Sequence, residues 1–321
     1  MPARTTESIL PSNQNPLGAR PARFRRQRLL IIGCGDVGQR VARHARGVRL
    51  LALTSSPERC AALRAQGITP LLGDLDDPRS LRRLAGLGTR VLHLAPPPAA
   101  SEESPRWWLD PRTTALVQAL RRRSLPQGLV YASTSGVYGD CGGAWVDESR
   151  PAAAHTGRAM RRVNAERTLR WAGRQGLRAS ILRIPGIYAP DRVGGTPRAR
   201  LLRGTPVLRR EDDVYTNHIH ADDLARACIA ALWRGSAQRV YNVADASAMR
   251  MGDYFDLAAD LYGLARPARV SRSQAQGELP LTLLSFMGES RRLRTTRLTR
   301  ELRVALRYPT VEQGLRGDPI R

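Results

Sequence analysis

The chain has 321 residues, 42% of them hydrophobic and 25% charged, which supports a sizeable core and excludes global disorder. Its 52 basic residues, every one an arginine, outnumber 28 acidic ones and give a formal charge of +24. That excess points to an anionic partner, but the arginines are dispersed and only 5% of residues are aromatic, which argues against nucleic-acid binding as the main role.

Residues 1–26 are rich in Pro, Ser, Asn and Arg without periodicity and predict a flexible basic tail. They lack the apolar stretch of a secretory signal, and no later run approaches the ~18 apolar residues of a membrane span. From Arg28 the pattern becomes strand–helix alternation. Leu29–Ile32 is a short apolar run that ends in Gly33-Cys34-Gly35-Asp36-Val37-Gly38, and an amphipathic segment carrying Val37, Val41 and Ala45 follows. Further strands are expected at Val48–Leu53, Ile68–Leu72, Val91–Ala95, Leu129–Ala132, Ser180–Ile184 and Val240–Val243. Helices are expected at Pro57–Gln66, from Pro111 behind an Asp110 cap, at about Arg158–Gln175 and at 222–233. Short strands buried on both faces, alternating with helices, predict a doubly wound parallel sheet, and the helix-rich part from about Ser247 predicts a small C-terminal lobe. The four cysteines are far apart and form neither a zinc site nor a disulfide framework, so a cytoplasmic chain is expected.

The glycine segment follows a strand and opens a helix, the context in which it signals dinucleotide binding. Gly33 permits the tight turn, Gly35 lets a pyrophosphate approach the backbone N–H groups at the helix start, and Gly38 allows close packing. Asp36 and Val37 lie in the same loop. The acidic residue that commonly holds the ribose 2′-hydroxyl after the second strand is absent. Thr54, Ser55 and Ser56 stand there instead, followed by Arg59, a set that suits a 2′-phosphate and favours NADP over NAD.

With these landmarks the sequence resembles the extended short-chain dehydrogenase/reductase family, the NAD-dependent epimerase/dehydratase group, in an atypical branch. The resemblance rests on the glycine loop, on Gly73-Asp74-Leu75, and on Ala132-Ser133-Thr134-Ser135-Gly136-Val137-Tyr138-Gly139. It continues in Leu182–Tyr188, Asn217-His218-Ile219-His220-Ala221-Asp222-Asp223-Leu224 and Tyr241-Asn242-Val243. It implies a Rossmann core over 27–185 and, over 186–321, a mixed region holding the substrate lobe and a last sheet strand at about 239–243. It places Asp74 and Leu75 near the adenine, Leu94, Ala95 and Pro96 along the cofactor, and Thr134 at the catalytic Ser/Thr position.

The family's Tyr-x-x-x-Lys pair cannot exist in a chain without lysine. Registering on Glu166 puts Arg158 and Arg162 at the Tyr and Lys positions. Arg162 retains the capacity to bind ribose hydroxyls, whereas a permanently protonated Arg158 is a poor proton shuttle. Thr134 and Tyr138 remain as candidate catalytic residues; packing within the SGVYG turn is the alternative for Tyr138. His218 and His220 alternate along an extended segment, which reads as pocket lining or a structural pair and not as a metal site. The implied function is an NAD(P)-binding oxidoreductase or epimerase-like protein acting on a small polar substrate. The alternatives are a non-catalytic NAD(P)-binding sensor or scaffold and, less favoured, a nucleic-acid-associated protein. A homodimer is compatible with either of the first two.

Overall fold

The computed structural model describes residues 27–99 and 105–317; the tail expected over 1–26 lies outside the described residues. Seven parallel strands form the central sheet: β1 (Arg28–Ile32), β2 (Arg49–Thr54), β3 (Ile68–Leu72), β4 (Arg90–His93), β5 (Gly128–Thr134), β6 (Ala179–Ile184) and β7 (Val240–Asn242). Their spatial order is β3-β2-β1-β4-β5-β6-β7, so the winding reverses between β1 and β4. A crevice opens at that reversal, beyond the carboxyl ends of the strands.

The apolar runs of the sequence become these strands because both faces of the sheet are covered. Helices α1 (Asp36–His44), α2 (Arg59–Ala65) and α5 (Ala221–Arg234) contribute to one core, with Ile31, Val41, Leu63, Leu224 and Tyr241 inside it. Helices α3 (Pro111–Leu120) and α4 (Gly157–Gly173) cover the other face with Leu116, Leu120, Leu169 and Ala172. Each fully buried Leu or Ile contributes on the order of 1.5–3 kcal/mol. The start of α3 follows its local chemistry: Asp110 accepts from the N–H groups of Arg112 and Thr113, and Pro111 occupies the first turn.

Strand ends differ from the sequence pattern by one or two residues. β4 stops at His93, two residues short, because the N–H groups of Leu94 and Ala95 both turn to the carbonyl of Ile32, at 2.8 and 3.1 Å. β5 extends to Thr134, because β6 pairs with it through Ile184.

A second lobe is built around Tyr188, Val207, Val214, Phe255 and Val311, with α6 (Met251–Tyr262) at its centre. It is tied back to the sheet region by short parallel pairings, Gly186–Tyr188 with His218–His220 and Trp145–Val146 with Arg292–Leu293. Among the described residues no helix is long and apolar enough to cross a membrane.

Candidate active site

The three loop glycines meet three different surroundings. Gly33 has φ +86°, and a Cβ on it would lie 2.6 Å from the amide nitrogen of Ala95. A Cβ on Gly38 would press on the carbonyl oxygen of Gly33 at 3.2 Å and on Ile31 at 3.3 Å. A Cβ on Gly35 would meet nothing within 4 Å. The loop is therefore packed on the side of the protein and open at Gly35, where the unpaired N–H groups of the first turn of α1 face outward. That opening, at a helix start, fits a pyrophosphate.

A groove of about 470 Å³ runs from this loop across the carboxyl ends of the strands. Gly33, Gly35, Asp36, Val37 and Gly38 line one end, Ala95 and Arg162 the middle, and Thr134 the far wall. Arg59 also lines it, with one guanidinium nitrogen donating to the Cys34 carbonyl at 2.6 Å, so its charge lies across the glycine loop. Arg162 is held over the Tyr131 ring and donates to the Ala132 carbonyl at 2.5 Å. Burial pushes the Cys34 thiol up to about 11 against the opposing charge of Arg59, which leaves it protonated and unreactive.

Ser55, Asp74 and Leu75 do not reach the groove. Ser55 is exposed at the end of β2. Asp74 is exposed and spent on its own turn, its carboxylate accepting from the N–H of Asp76 at 2.9 Å. Leu75 packs against the core on the α3–α4 face.

Beyond Thr134 a second cavity of about 790 Å³ opens between the sheet and the second lobe. Thr134, Pro185, Ile187 and Arg192 line both, so groove and chamber share a wall. Thr134 Oγ1 accepts from the Gly136 N–H at 3.2 Å, which fixes its rotamer at the end of β5. Arg158 faces the chamber with its guanidinium 4.3 Å from the Phe286 ring, one helical turn from Arg162 on the groove. The structure thus separates the two arginines of α4 between the two cavities.

Tyr138 is corrected from candidate proton donor to core residue. It is fully buried, its hydroxyl donates to Asn242 Oδ1 at 2.7 Å, and the Arg183 guanidinium lies 4.6 Å from its ring. Arg183 in turn forms a buried pair with Glu166 at 2.8 Å, and Ser133 donates to the same carboxylate at 2.6 Å. The phenol faces away from both cavities because the turn after Thr134 carries it under the sheet edge.

The chamber also contains groups that the sequence did not single out. Arg200 stacks on Phe255 at 4.2 Å with Nε and Nη2 buried and unpartnered among the described residues. Glu289 Oε1, Arg291 Nε and His218 Nδ1 are likewise buried without a partner there. Arg200, Glu289 and Arg291 lie on segments remote from the motifs, in an arginine-dense sequence where one more arginine carries no signal, whereas His218 belongs to the Asn217–Leu224 segment already read as pocket lining. His218 stacks on Tyr254 at 4.2 Å, and burial lowers its imidazole to about 4, so it is neutral. His220 faces elsewhere, capping α5 by accepting from the Asp222 N–H at 3.2 Å. Behind His218, Asp245 donates its N–H to the His218 carbonyl at 2.7 Å, and burial raises its carboxyl to about 8. Among the described residues no cluster of three His, Cys, Asp or Glu could hold a metal.

One ion-pair network joins the groove to the loop beside the chamber. Arg40 is 2% exposed and contacts Asp36 of α1 at 3.1 Å, Asp191 at 2.7 Å and Asp222 of α5 at 2.6 Å. Arg192, next along that loop, pairs with Asp36 at 3.2 Å.

The profile of the family described as the NAD dependent epimerase/dehydratase family matches residues 29–244. Solved structures share the fold over nearly their whole length. A conserved protein of unknown function from Silicibacter pomeroyi is 30% identical, with a TM-score of 0.75 over 91% of this chain and 98% of its own. The UDP-glucose 4-epimerase of Thermotoga maritima, solved with UDP-glucose, is 17% identical, with a TM-score of 0.74 over 90% and 96%. The UDP-glucuronic acid 4-epimerase of Bacillus cereus, solved with its substrate and NAD, is 17% identical, with a TM-score of 0.71 over 91% and 98%. No protein of curated function matches the sequence.

Proposed function

The chain belongs to the NAD dependent epimerase/dehydratase family, and from that premise we propose that it is an NAD(P)-dependent oxidoreductase or epimerase-like enzyme acting on a small, polar, anionic substrate. The observation that carries the reading is the wall shared by groove and chamber at Thr134, where a substrate in the chamber would meet the far end of a dinucleotide seated on the glycine loop. When bound, a nicotinamide dinucleotide supplies hydride acceptance or donation at that wall. The loop N–H groups hold its pyrophosphate, Arg162 meets ribose hydroxyls, and Arg59 favours a 2′-phosphate, hence NADP over NAD. Arg158, Arg192 and Arg200 line the chamber and give it a cationic wall for substrate phosphate or carboxylate oxygens, in line with the UDP-sugar ligands of the two epimerases above.

Proton transfer rests on a changed set of residues. No phenol stands at the usual motif position, and burial pushes the hydroxyls of Tyr188 and Tyr254 well above their ordinary value. Thr134 orients a substrate oxygen, and His218, which burial lowers to about 4, is too weak a base to stand in for the missing phenol. General acid–base help worth ~10²–10⁴-fold is weakened in this arrangement. The same two arginines of α4 favour a second reading, a dinucleotide-binding sensor that does not turn over.

Native mass spectrometry of the purified chain is expected to show a bound nicotinamide dinucleotide, and millimolar NADPH is expected to raise the melting temperature by mass action. If neither NAD(H) nor NADP(H) moves the transition, the reading fails. Arg59→Ala is expected to weaken NADP more than NAD; equal losses remove Arg59 from cofactor choice. Turnover in an NADPH-consumption screen over carbonyl compounds separates the enzyme from the sensor.

A further inference from the structure

A second cationic hollow lies away from the groove. It has a volume of about 450 Å³ and is lined by His44, Arg226, Trp233, Arg234, Arg303 and Arg307, with Ile229, Ala230 and Val304 at its base. No carboxylate lines it. His44 is the last residue of α1, whereas the glycine loop caps the first, so the two sites stand about 13 Å apart along that helix.

Its arginines are set in place by the fold. Arg226 is tied to Asp223 at 3.0 Å and to the Ala305 carbonyl at 2.6 Å, and Arg234 donates to the Leu302 carbonyl at 2.9 Å. The backbone N–H groups of Arg307 and Tyr308 both donate to the buried Asp223 carboxylate, at 2.8 Å each. Among the described residues, Arg234, Arg303 and Arg307 have no carboxylate within ion-pair distance, and the guanidinium groups of Arg303 and Arg307 have no hydrogen-bond partner either.

Arg303 has φ +54°, in the left-handed region where glycine sits without strain. Its neighbours Leu302 and Val304 are buried in the core at 0% and 5% exposure, so the backbone cannot relax and the side chain is thrust outward. A non-glycine residue held in that conformation by an over-determined frame is a mark of functional placement.

We propose that this hollow is a second ligand site, built for a small molecule carrying a pyrophosphate group. Several guanidinium forks converge on one concavity of ordinary ligand-pocket size, and their mutual repulsion is relieved when an anion enters. A nucleic-acid backbone would instead need its cations strung along a surface at phosphate spacing. The site also accounts for part of the positive charge that the groove and chamber leave unexplained.

The test titrates inorganic pyrophosphate into the full chain, read by calorimetry and by the fluorescence of Trp233, which is 41% exposed at the hollow. Trp233→Phe assigns the optical signal. The Trp233 response is expected to be saturable and the same in wild type and in Gly35→Asp, whose glycine loop no longer takes pyrophosphate, and Arg303→Gly with Arg307→Ser is expected to weaken it at least tenfold. Arg303→Gly keeps the left-handed backbone, so its melting temperature is expected to equal or exceed that of wild type, which keeps loss of binding distinct from loss of fold. An undiminished response in the double variant, or no response in wild type, overturns the proposal. Loss of oligonucleotide binding in the double variant, with no pyrophosphate response in wild type, also overturns it and makes the hollow part of a nucleic-acid surface.

Discussion

Side chains two positions apart in the glycine loop separate folding from binding. Gly33→Ala is expected to cost ~1–3 kcal/mol, because the new Cβ would be forced against the Ala95 amide in a left-handed conformation. Thermal denaturation would show this as a drop of several degrees with or without nucleotide. Gly35→Asp has room in the protein and is expected to leave the unliganded melting temperature within a degree or two of wild type. The same change puts bulk and negative charge where the pyrophosphate sits, so the NADPH-induced shift should vanish. Tyr138→Phe belongs with the first kind. It leaves Asn242 Oδ1 without its phenol donor and is expected to cost about 1 kcal/mol while nucleotide binding is untouched. If that variant keeps its stability but loses activity, the phenol does reach the chemistry. At this scale the sequence announced the glycines fully. It left Tyr138 between chemistry and packing in the turn, because adjacency to Thr134 in the chain hides the direction in which a tight turn aims the next side chains.

Among the elements, the strands were legible because each is a three- to seven-residue run rich in apolar residues, β1 and β3 closed by Gly and β6 by Pro, and α3 because Asp110 and Pro111 mark its first turn. The two- and three-residue pairings that fasten the second lobe were not, since Gly186–Tyr188 or Trp145–Val146 is too short to show a period. The chamber was illegible for a related reason. Its wall is assembled from β5, the loop after β6, α6 and the segment around 283–291, and no single stretch carries the pattern. Helix α4 lies between these cases: its four-residue spacing sends Arg162 to the groove and Arg158 to the chamber. Grafting Arg158→Tyr with Arg162→Lys is therefore expected to raise NADPH consumption at least tenfold with a substrate that wild type turns over slowly. Arg162→Lys alone should not. A graft that binds NADPH normally yet gains nothing would show that the chamber withholds substrate from the α4 face.

Over the whole molecule, buried titratable groups set how stability follows pH. Burial lowers His218 to about 4 from its ordinary 6.5, so the unfolded chain binds the extra proton between those values and stability rises with pH there. Burial raises Asp245 to about 8 from 3.8, so the folded chain holds the extra proton and stability falls as pH climbs toward 8. Below pH 6.5 His218, and His93, which burial lowers to about 3, oppose Asp245; above 6.5 the Asp245 contribution persists, with a slope of at most about 1.4 kcal/mol per pH unit. The melting temperature is expected to decline between pH 6.5 and 8, and Asp245→Asn is expected to flatten that decline. An unchanged decline in the variant would assign it to other groups. Arg40 has a reach of a different order, since its one guanidinium grips the start of α1, the loop bearing Arg192 and the start of α5 together. Under the proposed function, a dinucleotide that steadies the first of these would steady the other two, including the loop whose Arg192 lines the chamber. The expected outcome is then compulsory-order kinetics, nucleotide leading and substrate following, and product-inhibition patterns check it.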